Sequence, residues 1–135
     1  MVTENFRPGA LDRLGFSFEV LQQINPRLVC LSIAGFGHSG PMAGYRVYDP
    51  VIQAAAGFAD AHPDPDTGEP RLLQTLMCDK VTALTAAQAL TAALLARGPE
   101  GRGQRIELSM LDAALAFLWP EALYNHSFLD GQAHA

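Results

Sequence analysis

Apolar residues recur in two rhythms along this chain. Short runs of strand formers end in glycine- and proline-rich stretches, and longer stretches repeat at helical spacing. Residues 1–5 read as the tail of a strand, and Phe6-Arg7-Pro8-Gly9 turns the chain. Residues 10–14 form a short helical turn stopped at Gly15. Ser17 is placed to cap a second helix over 18–24, with Phe18, Leu21 and Ile24 toward one face. Asn25-Pro26 ends it, and the apolar run 28–33 predicts a buried strand. A long loop follows over 34–47. Asp49 as cap and Pro50 at the first helical position then open a helix to about Ala59.

A polar loop over 62–70 leads to the dominant element, a helix over 80–97 built largely of alanine and leucine. Its charges lie only at its two ends, which predicts burial on most sides. Gly98-Pro99 stops it. Residues 105–108 predict a strand, and Ser109 caps a last helix to about Tyr124. The stretch 125–135 is weakly patterned and is expected to fray. The order is strand, helices, strand, two helices, strand, helix, which predicts an α/β fold around a parallel sheet.

Composition narrows the function. A chain of 135 residues is one domain at most and can bury a core. Its 49% hydrophobic and 17% charged content argues against disorder. The net charge of −5 offers no basic field for nucleic acid or an anionic membrane. No stretch is apolar and long enough to span a bilayer, and the first residues carry no secretory signal. Cys30 and Cys78 suggest neither a metal site nor a disulfide framework, so reduced thiols in a cytoplasmic protein are expected.

Several motifs then compete for the chemistry. Gly35-Phe36-Gly37-His38-Ser39-Gly40 follows a strand and has the glycine spacing of a dinucleotide site. That site needs a helix to begin within the glycines, whereas Pro41-Met42-Ala43-Gly44 continues as loop. The glycines are better read as a tight path out of the sheet. Arg7 and Arg13 stand just after a strand end, where parallel sheets bind ligands. With Arg46, and the ring of Tyr48 close by, they are either phosphate ligands or solvated surface residues. His38, His62, His126 and His134 stand singly, without metal-ligand spacing. Cys78 is either a thiol activated by a helix N-terminus or a buried, inert cysteine.

Asp79 is the sharpest case. It is either a helix N-cap, accepting from the amides of Val81 or Thr82, or a carboxylate nucleophile kept ionised by the helix dipole and partly shielded from water. A carboxylate is already deprotonated at neutral pH, so it attacks an activated acyl group without a histidine base.

Taken in order, Glu4-Asn5-Phe6-Arg7-Pro8-Gly9, Asp12-Arg13-Leu14-Gly15, Ile24-Asn25-Pro26-Arg27-Leu28, Gly35-Phe36-Gly37, Gly40-Pro41, Tyr48-Asp49, Asp79, Gly101-Arg102-Gly103-Gln104 and Ser109-Met110-Leu111-Asp112-Ala113 resemble the family III CoA-transferases. The family includes formyl-CoA transferase, the carnitine CoA-transferases and α-methylacyl-CoA racemase. The resemblance implies a partial Rossmann-like large domain over 1–124, incomplete at both ends, with a tail over 125–135. It implies that Asp79 takes the acyl group from acyl-CoA, and that an aspartyl-CoA thioester passes CoA to an acceptor carboxylic acid. It places Asn5, Phe6, Arg7, Arg13, Arg46 and Tyr48 around CoA or its acyl end, with coenzyme A as substrate and no metal. Racemases of the family carry histidine where this chain has Tyr48, which favours transfer over the alternative, racemisation or epimerisation. Transferases of the family often have glycine at the position of Ala83. Relatives form interlocked homodimers. This chain, shorter than they are, is expected to be impaired or inactive alone, or to be a non-catalytic remnant or a subunit needing a complementing chain.

Overall fold

The computed structural model describes residues 1–99, 101–122 and 124 of the chain. Three parallel strands lie side by side in chain order: β1 (Val2–Glu4), β2 (Cys30–Ala34) and β3 (Arg105–Ser109). Val2 pairs with Cys30 and Glu4 with Ser32, while Cys30 pairs with Arg105 and Ala34 with Ser109. Parallel pairing requires crossovers, and the helices provide them. Between β1 and β2 lie α1 (Ala10–Arg13) and α2 (Phe18–Ile24). Ser17 caps α2, its Oγ accepting from the Val20 amide at 3.3 Å. Between β2 and β3 lie α3 (Asp49–Ala56), α4 (Phe58–Ala61) and α5 (Met77–Arg97), and α6 (Met110–Ala122) follows β3. The expected tail over 125–135 lies outside the described residues.

The helix expected from Asp49 to about Ala59 is broken. Gly57 has φ 88°, a left-handed conformation that costs glycine little and ends α3, after which α4 starts in a new direction. That turn sends Phe58 inward. It is almost wholly buried with Ile52, Ala56, Cys78, Ala114 and Leu118, and its ring stacks on Phe117 at a centroid distance of 6.4 Å. Full burial of such a ring stabilises by about 1.5–3 kcal/mol. Val29, Leu31 and Ala34 form the buried part of the sheet.

The dominant helix also departs from expectation. It begins at Met77, and its buried residues, Cys78, Val81, Thr82, Ala86 and Ala93, form one stripe. Leu84 and Leu95 stand 68% and 82% exposed, with Leu94 also exposed, so burial on most sides does not hold among the described residues. An alanine-rich sequence favours helix without saying how many faces are covered, because alanine is compatible with both environments. At its far end Gly98 closes the helix, and the Arg27 guanidinium donates to the carbonyls of Gly98 and Gly101 at 3.0 and 3.2 Å. A cation there complements the negative end of the helix dipole.

Candidate active site

The carboxyl ends of parallel strands open onto the loops that a sheet uses for ligands. Here the chain leaves β1 through residues 5–8 and leaves β2 through Gly35 into the long loop. A Cβ on Gly35 would collide with the Val47 side chain, so glycine lets residues 45–48 lie close against the end of β2. Phe36 meets Tyr45 edge to face at 6.4 Å, a second contact between the two ends of the same loop. Gly37 and Gly40 both take positive φ, and no helix starts within the glycine motif, which agrees with its reading as a tight path.

Between these loops and the start of α5 lies an open cleft of about 880 Å³, within the size range of sites for small molecules and cofactors. Asn5, Phe6, Arg7, Arg46, Tyr48 and Asp79 all line it. Five of these come from two loops more than thirty residues apart in sequence, and Asp79 comes from a third segment. Arg13 is not among the lining residues. It ends α1, and its Nη1 stands 3.3 Å from where a Cβ on Gly9 would be. Ala83 lines the cleft one turn beyond Asp79, with its methyl exposed rather than wedged in the packing.

Asp79 is not the cap of α5. The cap position is Leu76, which has no side chain able to accept, and Asp79 lies in the first turn with its side chain exposed. The acceptor comes from another helix. Asp49, only 3% exposed, takes the Asp79 amide on Oδ2 at 2.8 Å. Its Oδ1 accepts from Gln53 Nε2 at 2.6 Å. Gln53 is buried as well: its Nε2 also donates to the Thr75 carbonyl at 2.9 Å, and its Oε1 accepts from the Leu73 amide at 2.9 Å. Asp49 therefore caps α5, not the start of α3 as the Asp49-Pro50 pattern suggests. The two residues fix both the approach to α5 and its first turn. Sequence reasoning missed this role, although an Asp and a Gln four apart on an otherwise apolar helix were a readable signal.

Electrostatics follow from that geometry. Local desolvation first, and the Asp49 carboxylate second, push the Asp79 carboxyl above its ordinary value. The side chain is exposed, so the push is small in energy. A carboxylate made more basic in this way is a better nucleophile in its ionised form. Cys78, fully buried one residue earlier, is pushed up to about 12 by desolvation and then by Asp49 and Asp79. A thiol so raised is protonated at physiological pH and inert. That decides between the two readings of Cys78. Among the described residues no cluster of His, Cys, Asp or Glu could hold a metal ion, and no helix is long and apolar enough to cross a membrane.

The model of CoA-transferase family III matches residues 1–135. The chain belongs to the family III CoA-transferases. Over 118 residues this family III chain is 43% identical to acetyl-CoA:oxalate CoA-transferase of Acetobacter aceti, a match covering 87% of the chain and 30% of that protein. It is 43% identical over 115 residues to formyl-CoA:oxalate CoA-transferase of Escherichia coli O139:H28, covering 85% of the chain and 27% of the relative. It thus spans about a third or less of the length of these relatives. Solved structures agree. A CAIB/BAIF family protein from Brucella suis superposes with a TM-score of 0.86 at 36% identity, over 98% of this chain and 35% of the other. Rv3272 from Mycobacterium tuberculosis superposes with a TM-score of 0.86 at 30% identity, over 96% and 37% respectively. The three-stranded parallel sheet with its helices is a partial large domain of this family.

Proposed function

We propose that this chain carries the nucleophile and part of the CoA site of an enzyme that moves CoA between carboxylic acids. One observation carries the reading: Asp79, Arg7, Arg46, Tyr48, Asn5 and Phe6 converge on a single cleft at the carboxyl ends of the strands. Arg7 and Arg46 supply two cations for phosphate, and Tyr48 and Phe6 supply exposed rings. Arg13, at the end of α1, serves the nucleotide end of CoA outside the cleft.

The Asp79 carboxylate attacks the thioester carbonyl of an acyl-CoA. The carbon–sulfur bond breaks, CoA leaves as thiolate, and a mixed anhydride forms. The thiolate then attacks the aspartyl carbonyl, releasing the donor carboxylate and leaving an aspartyl-CoA thioester. The acceptor carboxylate displaces CoA to form a second anhydride. Attack of the thiolate on its acceptor carbonyl gives the new acyl-CoA and restores Asp79. Throughout, Asp49 holds the Asp79 backbone while the side chain changes partners. No proton needs to be removed from carbon, in keeping with tyrosine rather than a basic histidine at position 48. The named relatives make oxalate a suitable acceptor to try.

Activity with a complementing chain is a second reading. It is supported by the exposed leucines of α5 and by the exposed Phe117 and Trp119 of α6. The transfer itself is tested with an acceptor carboxylate labelled with oxygen-18. The mechanism transfers one labelled oxygen into the Asp79 carboxylate during turnover, detectable by mass spectrometry of the peptide. Turnover without label in that peptide would rule out the double-anhydride route.

A further inference from the structure

A second polar cluster stands away from Asp79, at the junction of β1, β2 and the glycine-rich loop. Glu4 ends β1 and Ser32 is its register partner in β2. The Ser32 hydroxyl donates to Glu4 Oε1. The other oxygen of the same carboxylate, Oε2, accepts from the Phe6 amide at 2.7 Å. On its far side Ser32 Oγ lies 2.7 Å from His38 Nε2. All three residues line one small cavity on this side of the sheet, which Arg7 and Arg105 also line.

A serine beside a histidine and a carboxylate invites a hydrolase reading, and the connectivity argues against it. In a nucleophilic serine the hydroxyl proton goes to the histidine, and the carboxylate sits behind the imidazole. Here the carboxylate holds the serine directly. An ionised carboxylate only accepts, so the single hydroxyl proton of Ser32 goes to Glu4. The bond to His38 then requires His38 Nε2 to be the donor. A histidine that donates to the serine cannot be its base.

We infer that His38, Ser32 and Glu4 form a relay that positions the loop Asn5-Phe6-Arg7 for its ligand. Protons point one way along it, from His38 Nε2–H to Ser32 Oγ, from Ser32 O–H to Glu4 Oε1, with Glu4 Oε2 receiving the Phe6 amide. The glycine-rich loop leaves β2 after Ala34, and His38 ties it back across the sheet to the end of β1. It thereby anchors the turn on which Phe6 and Arg7 enter the cleft. The three are positioning residues, acting through the loop rather than on a reacting atom. This inference rests on the CoA reading for what the loop binds, but not for how the loop is held.

The test uses the 135-residue chain and coenzyme A itself. Nitrogen-15 spectra of His38 are expected to show a proton on Nε2. Ser32→Ala is expected to move the Phe6 amide resonance and to weaken CoA binding about tenfold, the order of loss when a hydrogen bond to a charged group is removed. Ser32→Thr, which keeps the hydroxyl on a β-branched residue suited to a strand, restores both. His38 protonated only on Nδ1 would overturn the relay. So would a Ser32→Ala chain that keeps a native Phe6 amide and native CoA affinity. Should the unaltered chain bind no CoA, the functional reading fails, and the Phe6 amide together with the His38 tautomer still decides the relay.

Discussion

At the scale of single residues, the site depends on a partner that the sequence pattern assigns elsewhere. Asp79 was legible as the residue of interest because it is a lone carboxylate ahead of an apolar helix. Its state was not legible, since the backbone bond that fixes it comes from Asp49, thirty positions earlier. Replacing Asp49 by alanine orphans the Asp79 amide and removes one of the acceptors of buried Gln53. The expected loss is about 2–3 kcal/mol of unfolding free energy, read by urea denaturation. Asp79→Asn acts in the opposite direction. The folded-state pKa of Asp79 is raised, so the native state binds the proton more tightly than the unfolded state does. Its ionisation therefore costs stability, starting above the ordinary carboxyl value of 3.8 and in full above the folded value. Thermal scans are expected to show Asp79→Asn slightly more stable than the parent at pH 7. The difference should vanish as the pH falls below 3.8, where the carboxyl is protonated in both states. Cys78 supplies a third residue-scale expectation. At pH 8 it resists maleimide in the native chain and reacts once urea exposes it, because burial holds the thiol at about 12.

At the scale of elements, strand positions, the capped α2 and the start of α6 were readable because local chemistry decides them. Ser17 and Ser109 illustrate this: each accepts the amide three residues on, at 3.3 and 3.1 Å. The break at Gly57 and the one-sided burial of α5 were not readable, because each is set by what packs nearby rather than by propensity. Gly57→Ala is expected to cost about 1 kcal/mol or more, since alanine must hold φ 88°. Replacing exposed Leu84 or Leu95 with lysine is expected to leave the unfolding free energy within about 0.5 kcal/mol. Denaturation curves check both, and the contrast between them distinguishes backbone constraint from mere apolar character. Within the candidate site, five of the six proposed CoA-binding positions reach one cleft: Asn5, Phe6 and Arg7 follow β1 directly, and Arg46 and Tyr48 come back to the end of β2 where Val47 lies against Gly35. Arg13 falls outside the lining because a short helix, whose direction the motif does not encode, carries it away.

At the scale of the whole molecule, a parallel sheet with loops gathered at its carboxyl ends places two carboxylates, two arginines and three aromatic rings around one cleft. The chain covers 27–30% of the two CoA-transferases named above. If that cleft binds CoA, ligand stabilises the fold by mass action, by about 2.7 kcal/mol at a hundredfold excess over the dissociation constant. The melting temperature is then expected to rise with CoA concentration, and Arg7→Ala is expected to abolish most of the rise. The most direct test of the central claim is chemical. The chain is incubated with an acyl-CoA, quenched with hydroxylamine, and digested for mass spectrometry. A hydroxamate on Asp79, absent from Asp79→Asn, is the predicted result. A folded chain that binds acyl-CoA yet leaves Asp79 unmodified would contradict its role as nucleophile.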